Sequence, residues 1–298
     1  MKSSLATPSA AISECARLRQ WQQALALIGE VAHGRLEPDV ISYNAAISAC
    51  GNGMAWQQAL SLFSDVQKAN LQPDVFSYSA GISACEKSKQ WERALSLFSE
   101  LRDVTLEPNV VMYNVGMSAC EKGGQWEQAL SLHGELCKAK LSPDVISYNA
   151  AISACDKGNQ WEQALSLFAE LSAKGLHPNI ITFSAVVSAC RRARQWEQAW
   201  FLFGELKKTD IVLDVISYNT AMSTCDHLEQ WEDTVSLLAE MREAALEPNI
   251  NSYNAGVNAY HQGRQWQKAL SLFSEVRESK LEPDVISYNA AISACKTG

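Results

Sequence analysis

Two series of short polar side chains are the residues of this chain whose type and spacing could do chemistry. Each series recurs every 35 residues, the first varying only between Asn and Ser and the second only between Asp and Asn. Such side chains offer hydrogen-bond donors and acceptors to a partner. The first series is Ser9, Asn44, Ser79, Asn114, Asn149, Ser184, Asn219, Asn254 and Asn289. The second is Asp39, Asp74, Asn109, Asp144, Asn179, Asp214, Asn249 and Asp284.

Catalytic and metal-binding motifs do not match the chain. It has no Gly-rich phosphate loop, no HExxH, no nucleophile elbow and no Cys-x-x-Cys. His133-Gly134-Glu135 matches half of a zinc deaminase signature, but no Cys-x-x-Cys half follows. We therefore expect a chain that is not an enzyme and needs neither a cofactor nor a metal.

The elements that hold these side chains repeat with the same period. Eight of the nine Trp residues, from Trp21 to Trp266, stand 35 residues apart, and Tyr, Cys and Pro form parallel series. Self-similarity at a fixed period of 20–50 residues indicates stacked supersecondary units. The repeats are 5–39 (repeat 1, degenerate), 40–74 (repeat 2), 75–109 (repeat 3), 110–144 (repeat 4), 145–179 (repeat 5), 180–214 (repeat 6), 215–249 (repeat 7), 250–284 (repeat 8) and 285–298 (repeat 9, partial).

Each repeat reads as two helices. In repeat 2 an Asp precedes a first helix predicted over 40–50, Gly51 and Gly53 mark a break, and a second helix is predicted from Trp56 to Lys68. The second helix shows apolar residues at i, i+3, i+4 and i+7, and its Trp is interpreted as a large core residue. The predicted fold is all-α, a right-handed α-solenoid of about eight helix-turn-helix repeats in a single array over 1–298.

The cysteines follow the repeat. Eight of nine are in series, at Cys15, Cys50, Cys85, Cys120, Cys155, Cys190, Cys225 and Cys295. Because free Cys is among the most buried residue types, we predict one core thiol per repeat rather than disulfides or zinc ligands. So many unpaired thiols indicate a reducing compartment.

The 35-residue unit Val-x-x-Tyr-Asn…Ala-x-x-Leu-Phe…Pro-Asp resembles the pentatricopeptide repeat family over residues 5–298. The resemblance implies single-stranded RNA binding in a chloroplast or a mitochondrion, with about one nucleotide per repeat. It also implies that RNA-processing proteins are recruited. The fifth and last residues of each repeat would contact the base edges. A helix-capping role for the last residue is an alternative that the sequence leaves open.

The family's pairing rules give a readout. Asn44 with Asp74, Asn114 with Asp144 and Asn254 with Asp284 resemble the uridine pair. Ser79 with Asn109 resembles the adenosine pair, while Ser9 with Asp39 and Ser184 with Asp214 resemble the guanosine pair. Asn149 with Asn179 and Asn219 with Asn249 resemble the pyrimidine pair, with cytidine favoured. The expected target is 5′-G-U-A-U-Y-G-Y-U-3′.

Two further series would complete the interface. By the resemblance, the apolar second residue of each repeat flanks a base, at Ile41, Phe76, Val111, Ile146, Ile181, Ile216 and Ile286, with Asn251 departing from the pattern. A stripe of cations at the thirteenth position would face phosphates, at Arg17, Lys87, Lys122, Lys157 and Arg192. The net charge of −8 argues against RNA binding unless charge is segregated. We therefore expect one recurring acid of the second helix, from Glu30 to Glu275, on an outer solvated surface.

A different class of function competes with RNA binding. A helical solenoid could equally bind a protein or peptide partner and act as a scaffold. A peptide groove, however, would not require Asn or Ser paired with Asp or Asn in every repeat. No apolar run approaches the roughly 20 residues of a membrane span, so we expect no membrane association.

Overall fold

The computed structural model describes residues 8–33, 38–104, 106–209, 211–227, 230–279 and 281–296, and every element in these ranges is a helix. The first helices of the repeats are α1 (Pro8–Arg17), α3 (Val40–Asn52), α5 (Val75–Lys87), α7 (Val110–Lys122), α9 (Val145–Lys157), α11 (Ile180–Arg192), α13 (Val215–His227), α15 (Ile250–Gln262) and α17 (Val285–Lys296). The second helices are α2 (Trp21–His33), α4 (Trp56–Lys68), α6 (Trp91–Asp103), α8 (Trp126–Lys138), α10 (Trp161–Ala173), α12 (Trp196–Lys207), α14 (Trp231–Glu243) and α16 (Trp266–Glu278). The predicted all-α arrangement of two helices per repeat is confirmed.

The chain divides into two compact units, Met1–Gly158 and Asn159–Gly298. In the first unit, the first helix of each repeat packs on the first helix of the next, from α1 through α9. In the second unit the same contacts join α11, α13, α15 and α17. First helices therefore form one layer in each compact unit, and each second helix packs against the neighbouring first helices of its own unit. The single array over the whole chain stays a prediction.

The break between the two helices differs from the prediction. Gly51 is buried inside α3, and α3 ends only after Asn52, with Gly53 as its C-cap. The residue that turns the chain is Met54, with a φ of 58°, in the left-handed conformation that commonly ends helices. Lys89, Asn159 and Arg264 adopt the same conformation at the equivalent position. Gly53 therefore marks the helix end as expected and Gly51 does not, while the left-handed position accepts several residue types, including Gly124 in repeat 4.

Aromatic rings join the repeats in the core. Phe63 of repeat 2 meets Tyr78 of repeat 3 edge to face, with ring centroids 4.9 Å apart. Phe98 and Tyr113 make the same contact at 5.1 Å. Such pairs add about 0.5–1.5 kcal/mol beyond the burial of their area. The Tyr series is therefore a link between repeats as well as a core position.

The Trp series lies elsewhere than expected. The Trp side chains at the starts of α2, α4, α6, α8, α10, α12 and α14 are half-buried and that of α16 is exposed, so none is a fully buried core residue. A Cβ added at Gly123 would lie 2.4 Å from Cγ of Trp91, and one at Gly158 would lie 2.4 Å from Cγ of Trp126. Each of these Trp rings thus covers the end of the first helix of the next repeat.

Cysteine burial follows the prediction in all but one repeat. Seven of the eight in-series thiols are buried, whereas Cys295 is exposed. In the part of the chain that the structure describes, no helix of a following repeat covers α17, which leaves Cys295 uncovered. The out-of-series Cys137 is also exposed. Burial raises the pKa of Cys50, Cys85 and Cys120 to about 11.

Thiol reactivity should separate these two groups. At pH 8 a thiol reagent is expected to modify Cys137 and Cys295 rapidly in the native protein. Both side chains are exposed, and the reaction requires an accessible thiol in its thiolate form. The seven buried thiols should react only after unfolding. Mass spectrometry of peptides after timed alkylation measures each site. Rapid labelling of Cys120 in folded protein would contradict the assigned core.

Candidate nucleic-acid interface

The last residue of each repeat caps the first helix of the next. Asp74 Oδ1 accepts a 2.8 Å hydrogen bond from the backbone N of Ser77, and Asn109 Oδ1 accepts a 3.0 Å bond from the backbone N of Met112. The same N-cap bond is made by Asp39, Asp144, Asn179, Asp214, Asn249 and Asp284. Capping, the alternative that the sequence left open, is confirmed for the whole series. Every one of these bonds ends on the Oδ1 atom.

Side chains of the two polar series meet each other. Asn44 Nδ2 donates to Asp74 Oδ1 at 3.1 Å, although the residues are 30 positions apart. The same bond joins Asn114 to Asp144, Asn219 to Asn249 and Asn254 to Asp284, each at 3.2 Å. The structure thus brings together the two members of these four predicted pairs.

For the remaining predicted pairs, each residue is described on its own. Ser79 and Ser184 are half-buried at the same helical position as Asn44, with a shorter side chain. Ser9 lies in α1, the first helix of the degenerate repeat 1. Asn149 belongs to the first compact unit and Asn179 to the second, so each is described only within its own unit.

The capping carboxylates of Asp39 and Asp74 are held in their charged form. Hydrogen bonds from the Ser42 side chain and backbone lower the pKa of Asp39. Burial alone would raise the pKa of Asp74, but hydrogen bonds from Ser77 and Asn44 outweigh it and hold that pKa below its usual value. These side chains are therefore hydrogen-bond acceptors at neutral pH.

Two of the paired asparagines carry a polar atom that the protein leaves unsatisfied. The Oδ1 atoms of Asn44 and Asn114 are buried and have no hydrogen-bond partner within the chain. Buried polar atoms in native proteins nearly always have a partner, either in the protein or in bound solvent or ligand. The first polar series thus has capacity for a further hydrogen bond.

Apolar side chains at the second position stand out from the surface. Phe76 is 76% exposed and Ile41 is 66% exposed. The others are also exposed, at Val111, Ile146, Ile181, Ile216 and Ile286. A recurring exposed apolar series is a feature of binding surfaces.

One groove in the second compact unit shows that these positions share a face. Its volume is about 390 Å³, and it runs between α13, α15 and α17. Ile286 at position 2 and Asn254 at position 5 line it, together with Asp226 at position 12. In the second compact unit, the apolar and polar series therefore share one face of the first helices.

The predicted phosphate residues have partners inside the protein. Lys122 forms an ion pair with Glu86, and Lys157 Nζ lies 2.6 Å from Glu121 Oε1. Lys87 donates to Asn52, and Arg17 pairs with Glu14. An acid at position 12 directly precedes Lys87, Lys122 and Lys157, though not Arg17 or Arg192, and this acid was the sequence signal for pairing across repeats. Arg192 is described below.

The acids of the second helices are less solvated than expected. Glu135 pairs with Arg102, Glu240 with Lys207 and Glu275 with Arg242, each pair joining successive repeats. The side chain of Glu135 retains only 32% of its exposure. These acids lie on the second helices, but Glu86 and Glu121 lie on the first helices, so acidic charge is not confined to the second helices.

Two other kinds of site were sought in the described residues. No group of three or more His, Cys, Asp or Glu side chains there could hold a metal ion. None of the helices there is long and apolar enough to cross a membrane.

The hydrogen-bond and ionic contributions of a capping residue can be separated at Asp144. Asp144→Ala is expected to lower the free energy of unfolding by about 0.5–2 kcal/mol, because the first turn of α9 loses its acceptor. Asp144→Asn keeps Oδ1 and should change stability little. Because hydrogen bonding lowers the pKa of Asp144 in the folded state, its ionic contribution is present at neutral pH and is lost as pH falls below about 4. Urea unfolding at pH 7 and pH 3.5 measures this, and equal losses for Ala and Asn would contradict it.

Family models match most of the chain. The model described as "Pentatricopeptide repeat domain" matches residues 2–53, 61–123 and 235–297. The "PPR repeat family" model matches residues 108–157 and 143–192, and the "PPR repeat" model matches 41–71 and 181–211. No curated protein sequence is significantly similar to the chain.

Solved structures share the fold. The pentatricopeptide repeat protein PPR10 from maize superposes with a TM-score of 0.62 at 23% identity, over 96% of this chain and 46% of that one. The PPR domain of Arabidopsis thaliana protein-only RNase P 1, solved in complex with tRNA, gives 0.52 at 15% identity, over 63% of this chain and 95% of that one. Nuclear proteinaceous RNase P 2 from A. thaliana gives 0.56 at 11% identity, over 65% and 45%. The chain thus spans about half the length of the maize protein.

Proposed function

Because the chain belongs to the pentatricopeptide repeat family, we propose that it binds single-stranded RNA in a sequence-specific manner on the exposed face of its first helices. Each repeat would read about one nucleotide, as in other helical-repeat RNA readers. The surface that supports this proposal combines the exposed apolar residues at position 2 with four hydrogen-bonded pairs of polar side chains.

One observation carries the proposal. The helix caps use only Oδ1, an atom that Asp and Asn share. The atom in which they differ is the second terminal atom, an acceptor oxygen in Asp and a donor NH2 in Asn. Folding therefore accepts either residue, and the Asp/Asn variation alters only the hydrogen-bonding character offered to a ligand.

The Watson–Crick edges of the bases relate this Asp/Asn variation to base preference. Uracil and guanine carry an imino N–H on their Watson–Crick edge, whereas cytosine and adenine present an unprotonated ring nitrogen there. An Asp carboxylate accepts from the first pair, and an Asn NH2 donates to the second. Asp74, Asp144 and Asp284 would thus favour U or G, while Asn109 and Asn249 would favour A or C.

The fifth residue then separates large bases from small ones. Asn44 and Asn114 reach toward the last residue, as their hydrogen bonds to Asp74 and Asp144 show. Ser79 has a shorter side chain, which leaves room for a purine. Together the two positions give the proposed target 5′-G-U-A-U-Y-G-Y-U-3′.

The exposed apolar residues would hold the bases in place. Bases stack on flat or apolar side chains without regard to sequence, so Phe76 and its equivalents would supply affinity rather than specificity. Asn251, which replaces the apolar residue in repeat 8, would weaken the grip on the last base.

Fluorescence anisotropy with labelled octamers tests the proposal. G-U-A-U-C-G-C-U should bind more tightly than a shuffled octamer at the same moderate salt, by at least about tenfold. The double variant Ser79→Asn with Asn109→Asp should move the preference at the third base from A to U. Equal binding to both octamers, or no binding, would overturn the proposal.

The biological role that we infer is RNA processing, stabilisation or translation in a chloroplast or mitochondrion. The chain would act without catalysis of its own, and RNA-processing proteins would be recruited to the RNA that it occupies. Family membership supports the organellar assignment, which expression of the protein as a fluorescent fusion would test.

A further inference from the structure

The ends of the first helices carry a ladder of contacts between successive repeats. The residue at position 12 of one repeat contacts the residue at position 13 of the next. The contacts are Lys122 with Glu86, Lys157 with Glu121 at 2.6 Å, and Gln262 with Asp226 at 2.9 Å. In each of these contacts an acid from one repeat satisfies a donor from the following repeat.

Repeat 6 breaks this ladder. Its position 12 holds Arg191 instead of an acid, and position 13 of repeat 7 is His227. The His227 ring stacks on Trp196, with centroids 4.0 Å apart and an angle of 17° between the planes. Arg191, Arg192, Arg194, Trp196 and His227 line a cavity of about 440 Å³. None of these lining residues is acidic.

Arg191 has unused hydrogen-bonding capacity. Its Nε is buried and has no hydrogen-bond partner within the chain. A guanidinium carries five donors in a planar fork that matches the oxygens of a phosphate group. An anion in the cavity would satisfy the buried Nε and would be attracted by three guanidinium charges.

Position 12, which Arg191 occupies in this cavity, belongs to the same face as the proposed base-reading residues. In repeat 7 the position-12 residue, Asp226, lines the same groove as Asn254 and Ile286. Position 12 therefore belongs to the surface that carries the base-reading series. In repeats 3 and 4 that position presents a carboxylate, at Glu86 and Glu121, which would repel a phosphate.

We propose that Arg191, Arg192 and Arg194, against the Trp196–His227 stack, form a binding site for one phosphate group. The phosphate is supplied by the backbone of the bound strand, so this part of the proposal rests on the RNA binding proposed above. The electrostatic grip would then have its centre at Arg191, because Lys122 and Lys157 pair with acids.

The test uses the whole chain and residues that its other repeats already carry. Arg191→Glu recreates the residue of Glu86 and Glu121, and Arg194→Asn recreates Asn159, so both variants should fold. Lys138→Glu, on the exposed end of α8, makes the same change in charge elsewhere. Each protein is titrated with the octamer G-U-A-U-C-G-C-U over a range of salt, and separately with pyrophosphate by calorimetry.

Arg191→Glu is expected to weaken octamer binding about tenfold and to reduce the slope of log K against log salt by about 0.7. Lys138→Glu should keep the wild-type slope. Pyrophosphate that binds only when Arg191 is present, and that competes with the octamer, would identify the strand's phosphate as the occupant. If the protein binds pyrophosphate through Arg191 but has no affinity for RNA, the phosphate site would stand and would belong to free phosphate compounds. That result would refute RNA binding. Wild-type affinity for both ligands in Arg191→Glu would overturn the site itself.

Discussion

A variant carrying Asn109→Asp, Asn179→Asp and Asn249→Asp is expected to prefer G-U-G-U-U-G-U-U over G-U-A-U-C-G-C-U by on the order of 100-fold, reversing the wild-type preference. Each wrong base costs about 1–3 kcal/mol, so three positions amount to at least about 3 kcal/mol. Three caps change their outer atom from a donor to an acceptor, while Oδ1 still accepts the bond from the helix.

Stability separates this effect from damage to the fold. Asn and Asp cap helices about equally well, so the melting temperature of the triple variant should stay close to that of the wild type. The added negative charge weakens binding of both RNAs, and the ratio of the two affinities is therefore the quantity to measure. Gln22→Glu, Gln57→Glu and Gln267→Glu form a matched control, because five other repeats carry Glu at that position. An unchanged ratio in a stable triple variant would refute the code.

Replacing Phe76 and Val111 with Ala should lower the affinity for RNA without changing the base preference. Affinity is expected to fall by about 10- to 100-fold for the matched octamer, because stacking contributes about 1–3 kcal/mol per base. The ratio between octamers that differ at a single base should not change, since stacking ignores base identity. The two side chains are 76% and 59% exposed, so their loss should alter stability by less than about 0.5 kcal/mol.

The matched control truncates exposed apolar residues at other positions. Met54→Ala and Val104→Ala remove side chains that are 70% and 48% exposed. Anisotropy titrations of both variants at one salt concentration give the comparison. Equal losses in the two variants would mean that the position-2 residues have no special part in binding.

The helix boundaries could be predicted because their signals are local. An Asp or Asn before Val40, Val75 or Val145 supplies the cap, and each second helix begins at its Trp as the apolar spacing indicated. The sequence indicates a break at Gly51 and Gly53; Gly53 is the C-cap of α3, but Gly51 lies inside that helix and the left-handed residue is Met54. Nothing in the sequence of a turn that tolerates Met, Lys, Asn and Arg marks the residue that adopts this conformation.

Contacts between repeats could not be predicted from the sequence. The pairs Glu86–Lys122 and Asn44–Asp74 join residues 36 and 30 positions apart, and they depend on how successive helices are placed. Sequence comparison identified the members of each series, but it could not show that the lysines were already compensated. For the same reason the sequence alone did not point to Arg191, which stands at the position where repeats 3 and 4 carry Glu86 and Glu121.

The shared use of one side chain for capping and reading has a consequence for the ageing of the protein. Spontaneous deamidation of Asn109 or Asn249 releases ammonia and adds water, and where the product is Asp and not isoaspartate, the residue still caps its helix through an oxygen. Such a molecule would keep its fold and pass quality control that senses unfolding. It would nevertheless select a different base, so chemical wear at these positions produces a well-folded protein with an altered target.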